Sequence, residues 1–565
     1  MPRSVRRARC VLAFALAAPA LALYLGACNN KKVANSDPQP AVGIASKPAP
    51  AADPPPEVSV ADPNVLTFHN DNGRTGQNLN ERILTPASVS SGDFGKVAFL
   101  RVQGKVDAEP LYVSKLMIAG RKHNVVFVST EHDLVYAFDA DTFTQLWRVS
   151  LLHAEETPSD KRDCEQIEPE IGITSTPVID LNAGRHGRMY VVALSKDAAG
   201  DYFNRIHALD ITTGADDLSP QVIGATAPGN GPNSRDGRVA FDPKQYEDRA
   251  ALLLANGIIY TTWASHCDHE PYNGWVIGMS ASTLKRVNSL CLTPNGTEGS
   301  IWMTGNGPAV DPAGFIYLLN GNGSFDSSLD EHGFPTERDF GNAFLKLEGR
   351  VNYLGVYDYF TMHNTAAETN GDEDLGSGGV LLLPDMKDAS GQVRRLAIGA
   401  GKDQVIYVVD RNALGKFNPN NDNAIYELIP NSLGGAEFAS PAYFNGTVYY
   451  GAYLATMKAF PIVSARLAAV PSSQTAVHFD YPGTTPSISA SGNSNGIAWA
   501  VEELNSAGIL HAYDPSNLSR ELYNSSQAGR GRVEFMDNKF ITPMIAGGRV
   551  FVGTQTGVVV FGLLH

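Results

Sequence analysis

A short opening strand recurs along this chain, and that recurrence restricts the possible folds more than any other feature. The C-terminal copy reads Ile541-Thr542-Pro543-Met544-Ile545-Ala546, then a Gly turn, a β-branched strand, a second Gly turn and another strand. An early copy runs Ala108-Glu109-Pro110-Leu111-Tyr112-Val113, with strands predicted at 124–129, 134–139 and 144–149. Thr174-Ser175-Thr176-Pro177-Val178-Ile179 and Ala439-Ser440-Pro441-Ala442-Tyr443 open two more. The prolines of these openings fall at Pro110, Pro177, Pro308, Pro441, Pro486 and Pro543. Two intervals are double length, and apolar runs at Leu252 and Val380 lie near their middles. Eight units follow, with a mean pitch of about 62 residues. Four strands per unit at this period predict an all-β, eight-bladed β-propeller of four-stranded antiparallel blades. A helical solenoid would need amphipathic helices, and none longer than a few turns can be read.

Closure can be read as well. The last unit carries only three strands. An unassigned strand, 96–102, precedes the first unit and is expected to take the outermost position of the last blade, which removes free sheet edges. Composition agrees: 54 Gly and 34 Pro supply turns, and 43% hydrophobic residues supply a core. The formal charge of −15 has the wrong sign for bulk nucleic-acid or anionic-membrane binding.

The first residues read as an address. Arg3, Arg6, Arg7 and Arg9 precede an apolar run from Val11 to Leu25, the order of a secretory signal. Leu25-Gly26-Ala27-Cys28 resembles the bacterial lipoprotein box, which makes Cys28 the lipidated residue and 1–27 the signal peptide. Residues 28–63 then form the anchor and a tether, with eight Pro and seven Ala between 29 and 63. Such a stretch has little to bury and reaches about 100 Å. Residues 64–565 form one propeller domain. The expected location is the cell envelope, at its periplasmic face or the cell surface, with membrane contact through the lipid alone.

Leu134-Val135-Tyr136-Ala137-Phe138-Asp139-Ala140-Asp141-Thr142, leading to Leu146-Trp147, resembles the PQQ-type propeller repeat, and His207–Gly214 is a second match. His69-Asn70-Asp71-Asn72-Gly73-Arg74-Thr75-Gly76 resembles the lead-in of quinoprotein dehydrogenases. The resemblance spans roughly 65–565. It implies PQQ and calcium on the propeller axis, a pair of adjacent cysteines over the cofactor, and a Trp ending most blades. This chain has no Cys-Cys pair and no C-x-x-C-H haem site, and only Trp147 fits the blade-end position well.

The innermost strands line the axis, so residues just before each marker are expected at the channel mouth. Asp107, Glu109, Glu168 and Glu170 are candidate calcium ligands there, since calcium takes 6–8 oxygens; Lys105 and Arg101 are alternative partners for them. Thr174 and Glu170 are candidate cofactor contacts, and Trp302 a candidate stacking surface. His266-Cys267-Asp268-His269 is a candidate zinc cluster. The alternative fate of Cys267 is a disulfide. Cys291 lies two strands away from it, about 9–10 Å, beyond the roughly 7 Å a disulfide allows. Cys164, in the loop between units one and two, is the expected partner, leaving Cys291 a buried thiol. Gly492–Gly496 matches G-x-S-x-G but precedes a strand and reads as a turn. Asp374–Gly379 reads as a tightly packed loop near the axis.

The leading expectation is a non-catalytic scaffold that binds an unidentified protein or small molecule at the axial face. The alternative is a PQQ- and calcium-dependent alcohol or sugar dehydrogenase, with Asp107, Glu109 or Glu170 as metal ligand or base.

Overall fold

The computed structural model describes residues 62–564, apart from 304, 305, 505, 506, 528–532 and 534. The signal, Cys28 and the tether lie outside the described residues.

Eight antiparallel blades follow one another along the chain. Their innermost strands are Leu111–Ile118, Val178–Asp180, Leu253–Ala255, Ala309–Val310, Leu381–Leu382, Ala442–Phe444, Ser487–Ser491 and Met544–Ala546. Each begins one residue after its sequence marker, including Leu253 and Leu381 in the units that lack the Pro. The reason is local. Proline has no amide hydrogen to give a ladder, so it stands just ahead of the strand that follows. The eighth blade closes as the repeat predicts: Phe94–Arg101 pairs antiparallel with Gly557–Leu563, with Phe99 opposite Val559. Among the described residues the helices are short, Pro86–Val89 and Thr365–Gly371.

The core is a ring of clusters between neighbouring blades. One joins blades eight, one and two through Leu100, Val113, Val126, Ile179 and Phe551. Another joins blades seven and eight through Trp499, Leu510, Val550 and Phe561. Trp147 docks its blade on the next: its Nε1 donates to the Ile211 carbonyl at 3.2 Å. Gly214 leaves room for the indole, since a Cβ there would lie 2.7 Å from the ring.

The lead-in binds every blade in turn. Val65 exchanges backbone hydrogen bonds with Tyr112, and Leu66 accepts from the Ile179 amide. Asn72 donates from Nδ2 to the Leu254 carbonyl and accepts from the Val310 amide. Gly73, Thr75 and Gly76 accept from the amides of Leu382, Tyr443 and Ile488. Asn78 Nδ2 donates to Ile545 at 2.8 Å. The partner in each blade is the residue two places after its marker. Arg74, fully buried, ties four carbonyl or hydroxyl oxygens together: Pro308, Thr67, Phe68 and Leu252. The axis is therefore crossed by one segment that fixes all eight inner strands.

Candidate functional site

On the other side of this register the axis opens. A cavity of about 280 Å³ is lined by Arg249, Trp302, Lys402, Phe438, Tyr481 and Phe540, among others. A smaller recess beside it brings Lys105, Asp107, Thr174 and Lys539 to the same Arg249 and Phe540. Asp107, Thr174, Arg249, Ser377, Phe438 and Phe540 share one position: three residues before the marker of their unit. Six of the eight blades thus deliver one side chain each to the axis from the same position of the repeat.

Arg249 dominates the site. Its side chain is only 6% exposed. Nε and Nη1 have no hydrogen-bond partner among the described residues. The guanidinium lies 5.9 Å from the centre of the Trp302 ring and 5.0 Å from that of Phe540, both within cation–π range. An aromatic wall continues from there: Phe540 meets Tyr481 edge-on at 5.9 Å, and Tyr481 meets Phe438 at 5.4 Å.

The recess is net positive, while Asp268, Asp372 and Asp374 face Lys402 and Arg249 in the cavity. Lys105 sits 3.3 Å from Asp107. Burial works to raise the Asp107 carboxyl, but Lys105, hydrogen bonds from Glu131 and Asn538, and Arg249 outweigh it and hold it below the usual range. Its neighbour Glu131 is pushed well up, by burial and then by the Asp107 charge, so the pair carries one negative charge. Burial lowers Lys539, and repulsion from Lys105 and Arg249 lowers it further. Burial also pushes Glu503 up to about 9, with Asp537 adding to it. Three cations thus surround one ionised carboxylate, within a chain whose formal charge is −15.

The predicted site residues divide. Trp302 lines the cavity, and Asp107 and Thr174 line the recess. Thr174 donates to Glu131 at 3.1 Å. Glu109 stands one residue before its marker and turns toward the lead-in, accepting from the His69 amide at 2.8 Å; burial raises it to about 8. Glu170 stands seven before its marker and pairs with His132 Nδ1 at 2.8 Å, and Glu168 pairs with Lys161 at 3.1 Å. These carboxylates have separate partners. Cys164 and Cys267 are joined in a disulfide with Cα atoms 5.8 Å apart, and Cys291 is a buried free thiol. Asp374–Gly379 packs tightly: a Cβ on Gly376 would lie 2.3 Å from the Asn320 backbone. Gly492 and Asn493 form the turn between Ser487–Ser491 and Ser494–Leu504.

No protein-family model and no curated protein matches the chain. Solved structures do. The chain is similar to quinohemoprotein alcohol dehydrogenase from Comamonas testosteroni at 15% identity and TM-score 0.55, covering 89% of this chain and 80% of that one. A quinohemoprotein alcohol dehydrogenase from Pseudomonas putida HK5 gives 13% identity and TM-score 0.55 over the same shares. A europium-containing methanol dehydrogenase gives 12% and 0.54, over 89% of this chain and 99% of that one. The fold is that of the PQQ-type propeller, as the repeat predicted.

The calcium–quinone pair implied by that resemblance does not fit these side chains. Arg249 stands over the Trp302 ring where a flat cofactor would stack. The acids around the cavity are already engaged: Asp268 with Tyr272, Asp372 with Asn322 and Lys402, Asp374 with Lys402. The disulfide joins residues 103 apart in sequence rather than neighbours.

Proposed function

We propose that the protein is a binding module whose axial cavity captures a small organic anion carrying an apolar or aromatic body. The observation that carries this reading is Arg249: a buried guanidinium with two unpartnered nitrogens at the cavity wall. A carboxylate would accept from the Arg249 guanidinium, whose donors suit it in charge and geometry. The rest of the guest would lie along Phe540, Tyr481 and Phe438, as in pockets that combine apolar walls with a few polar anchors. Lys105 and Lys539 would lose their mutual repulsion once the anion is in place. The export signal and the lipid on Cys28 belong to the same proposal, and would hold the propeller at the envelope on its tether.

The test uses 2-naphthoate as probe, titrated calorimetrically into the wild type and into Arg249→Gln and Arg249→Lys. Binding by the wild type, weakened at least about 30-fold in Arg249→Gln, supports the reading; losing a buried charged hydrogen bond costs about 2 kcal/mol or more. Equal binding by all three would overturn it. PQQ with added calcium, supplied to the same protein, tests the enzyme reading: quinone-dependent dye reduction would replace the binding module with a dehydrogenase.

A further inference from the structure

A second cluster lies beside the axial cavity and has no part in the anion site. Three buried residues, Cys164, Glu247 and His266, each offer one ligand atom, and these atoms all lie within 4.8 Å of one another. Cys267 is not one of these three, but its sulfur is bonded to that of Cys164. His266 Nδ1 stands 2.6 Å from Glu247 Oε1 and donates to it. That bond fixes the tautomer and leaves the lone pair on Nε2. Both Nε2 of His266 and Oε2 of Glu247 are buried without a partner, on residues 2% and 1% exposed. Buried polar atoms seldom stay unpaired unless the site has another use.

We propose that Cys164, Cys267 and His266 form a redox-gated metal site, with Glu247 holding His266 from behind, which takes a borderline-soft divalent cation such as zinc when the disulfide is reduced. The donor set is two sulfurs and one imidazole nitrogen, with the fourth position left to water, a combination zinc accepts in four-coordinate sites. The Glu247–His266 bond is the support such a ligand needs, because a carboxylate on Nδ1–H orients the ring and raises the basicity of Nε2. The reduction is a two-electron step. A phosphine gives two electrons to the S–S bond, which breaks to two thiols, and the phosphine takes an oxygen from water to become its oxide. Cation binding then forms two metal–sulfur bonds and releases the two thiol protons to solvent. Oxidised, the sulfurs are bonded to each other and the site lacks its two thiolates.

The test uses the full chain, reduced with a phosphine or left oxidised, and titrated with Co²⁺ alone. The reduced protein is expected to take up one Co²⁺ with the thiolate charge-transfer absorption and tetrahedral bands of a sulfur-ligated site, and zinc should displace it. The oxidised protein should give neither. Cys164→Ser/Cys267→Ser, which keeps the other three cysteines, should abolish the bands. His266→Ala, which keeps both thiols and can still form the disulfide when oxidised, should weaken binding by about 100-fold. Bands that survive the double serine variant would overturn the proposal, as would a reduced wild type without them or a His266→Ala protein of unchanged affinity.

Discussion

Arg249 shows what a single residue costs and implies. A buried guanidinium with unpaired nitrogens is expensive, since a buried charge needs partners to offset its lost water. No motif marks it in the sequence. The signal was nevertheless present: aligning the eight units on their markers puts Arg249 at the same position as Asp107 and Thr174. The acids suggest a metal by their chemistry, and Glu109 and Glu170 group with Asp107 although they fall outside that position. What separates them is the direction each side chain turns, Glu109 to the His69 amide and Glu170 to His132, which one unit alone does not show. His69 supplies a second residue-scale prediction. Its ring is fully buried between the carbonyls of Arg74 and Pro486, and burial lowers it from 6.5 to about 4. The unfolded chain therefore binds the proton more tightly than the folded one. Stability from this group is present above pH 6.5 and is lost as pH falls from 6.5 toward 4, by about 3 kcal/mol. Urea unfolding at pH 7 and pH 4 should show that loss, and His69→Gln should show a loss smaller by about that amount.

Elements here are placed by short signals. The inner strands were legible because proline or a bulky apolar residue stands just before each one. The closing strand was legible because it was the one β-rich stretch left over. The lead-in resembles a known stretch but shows no ring of contacts in sequence, since six of its bonds to the eight blades are backbone bonds that leave no side-chain pattern, and only Asn72 and Asn78 use side chains. Gly76 is its tightest point, with φ +67° and a hypothetical Cβ only 2.4 Å from His69 Nε2. Gly76→Ala should lower stability by about 2–3 kcal/mol, from backbone strain plus the clash, measured by denaturant midpoint. The Cys164–Cys267 bond spans 103 residues and ties the loop of Gln166 to that of Asp268 and Tyr272, all three on the cavity wall. Cys267→Ala should cost about 2–5 kcal/mol. An unchanged unfolding midpoint would mean that these loops are held by other contacts.

At the scale of the whole molecule, charge and site pull in opposite directions. A chain at −15 repels anions at long range, while the axis gathers Lys105, Lys539 and Arg249. Salt screens the long-range field and acts far less on a buried contact. The association rate of 2-naphthoate, followed by stopped flow, should therefore rise as salt goes from about 10 to 150 mM, with dissociation little changed. A rate that falls with salt would mean that the guest meets a positive surface first. The closed ring makes this possible, because six of its blades each contribute one side chain to a point that none could enclose alone. The central claim, that Arg249 waits on the axis for an anion, is tested most directly by anomalous diffraction from crystals grown with bromide. The account predicts a bromide peak within hydrogen-bond reach of the Arg249 guanidinium, between Trp302 and Phe540. Bromide bound elsewhere, with water or a protein carboxylate against the guanidinium, would contradict it.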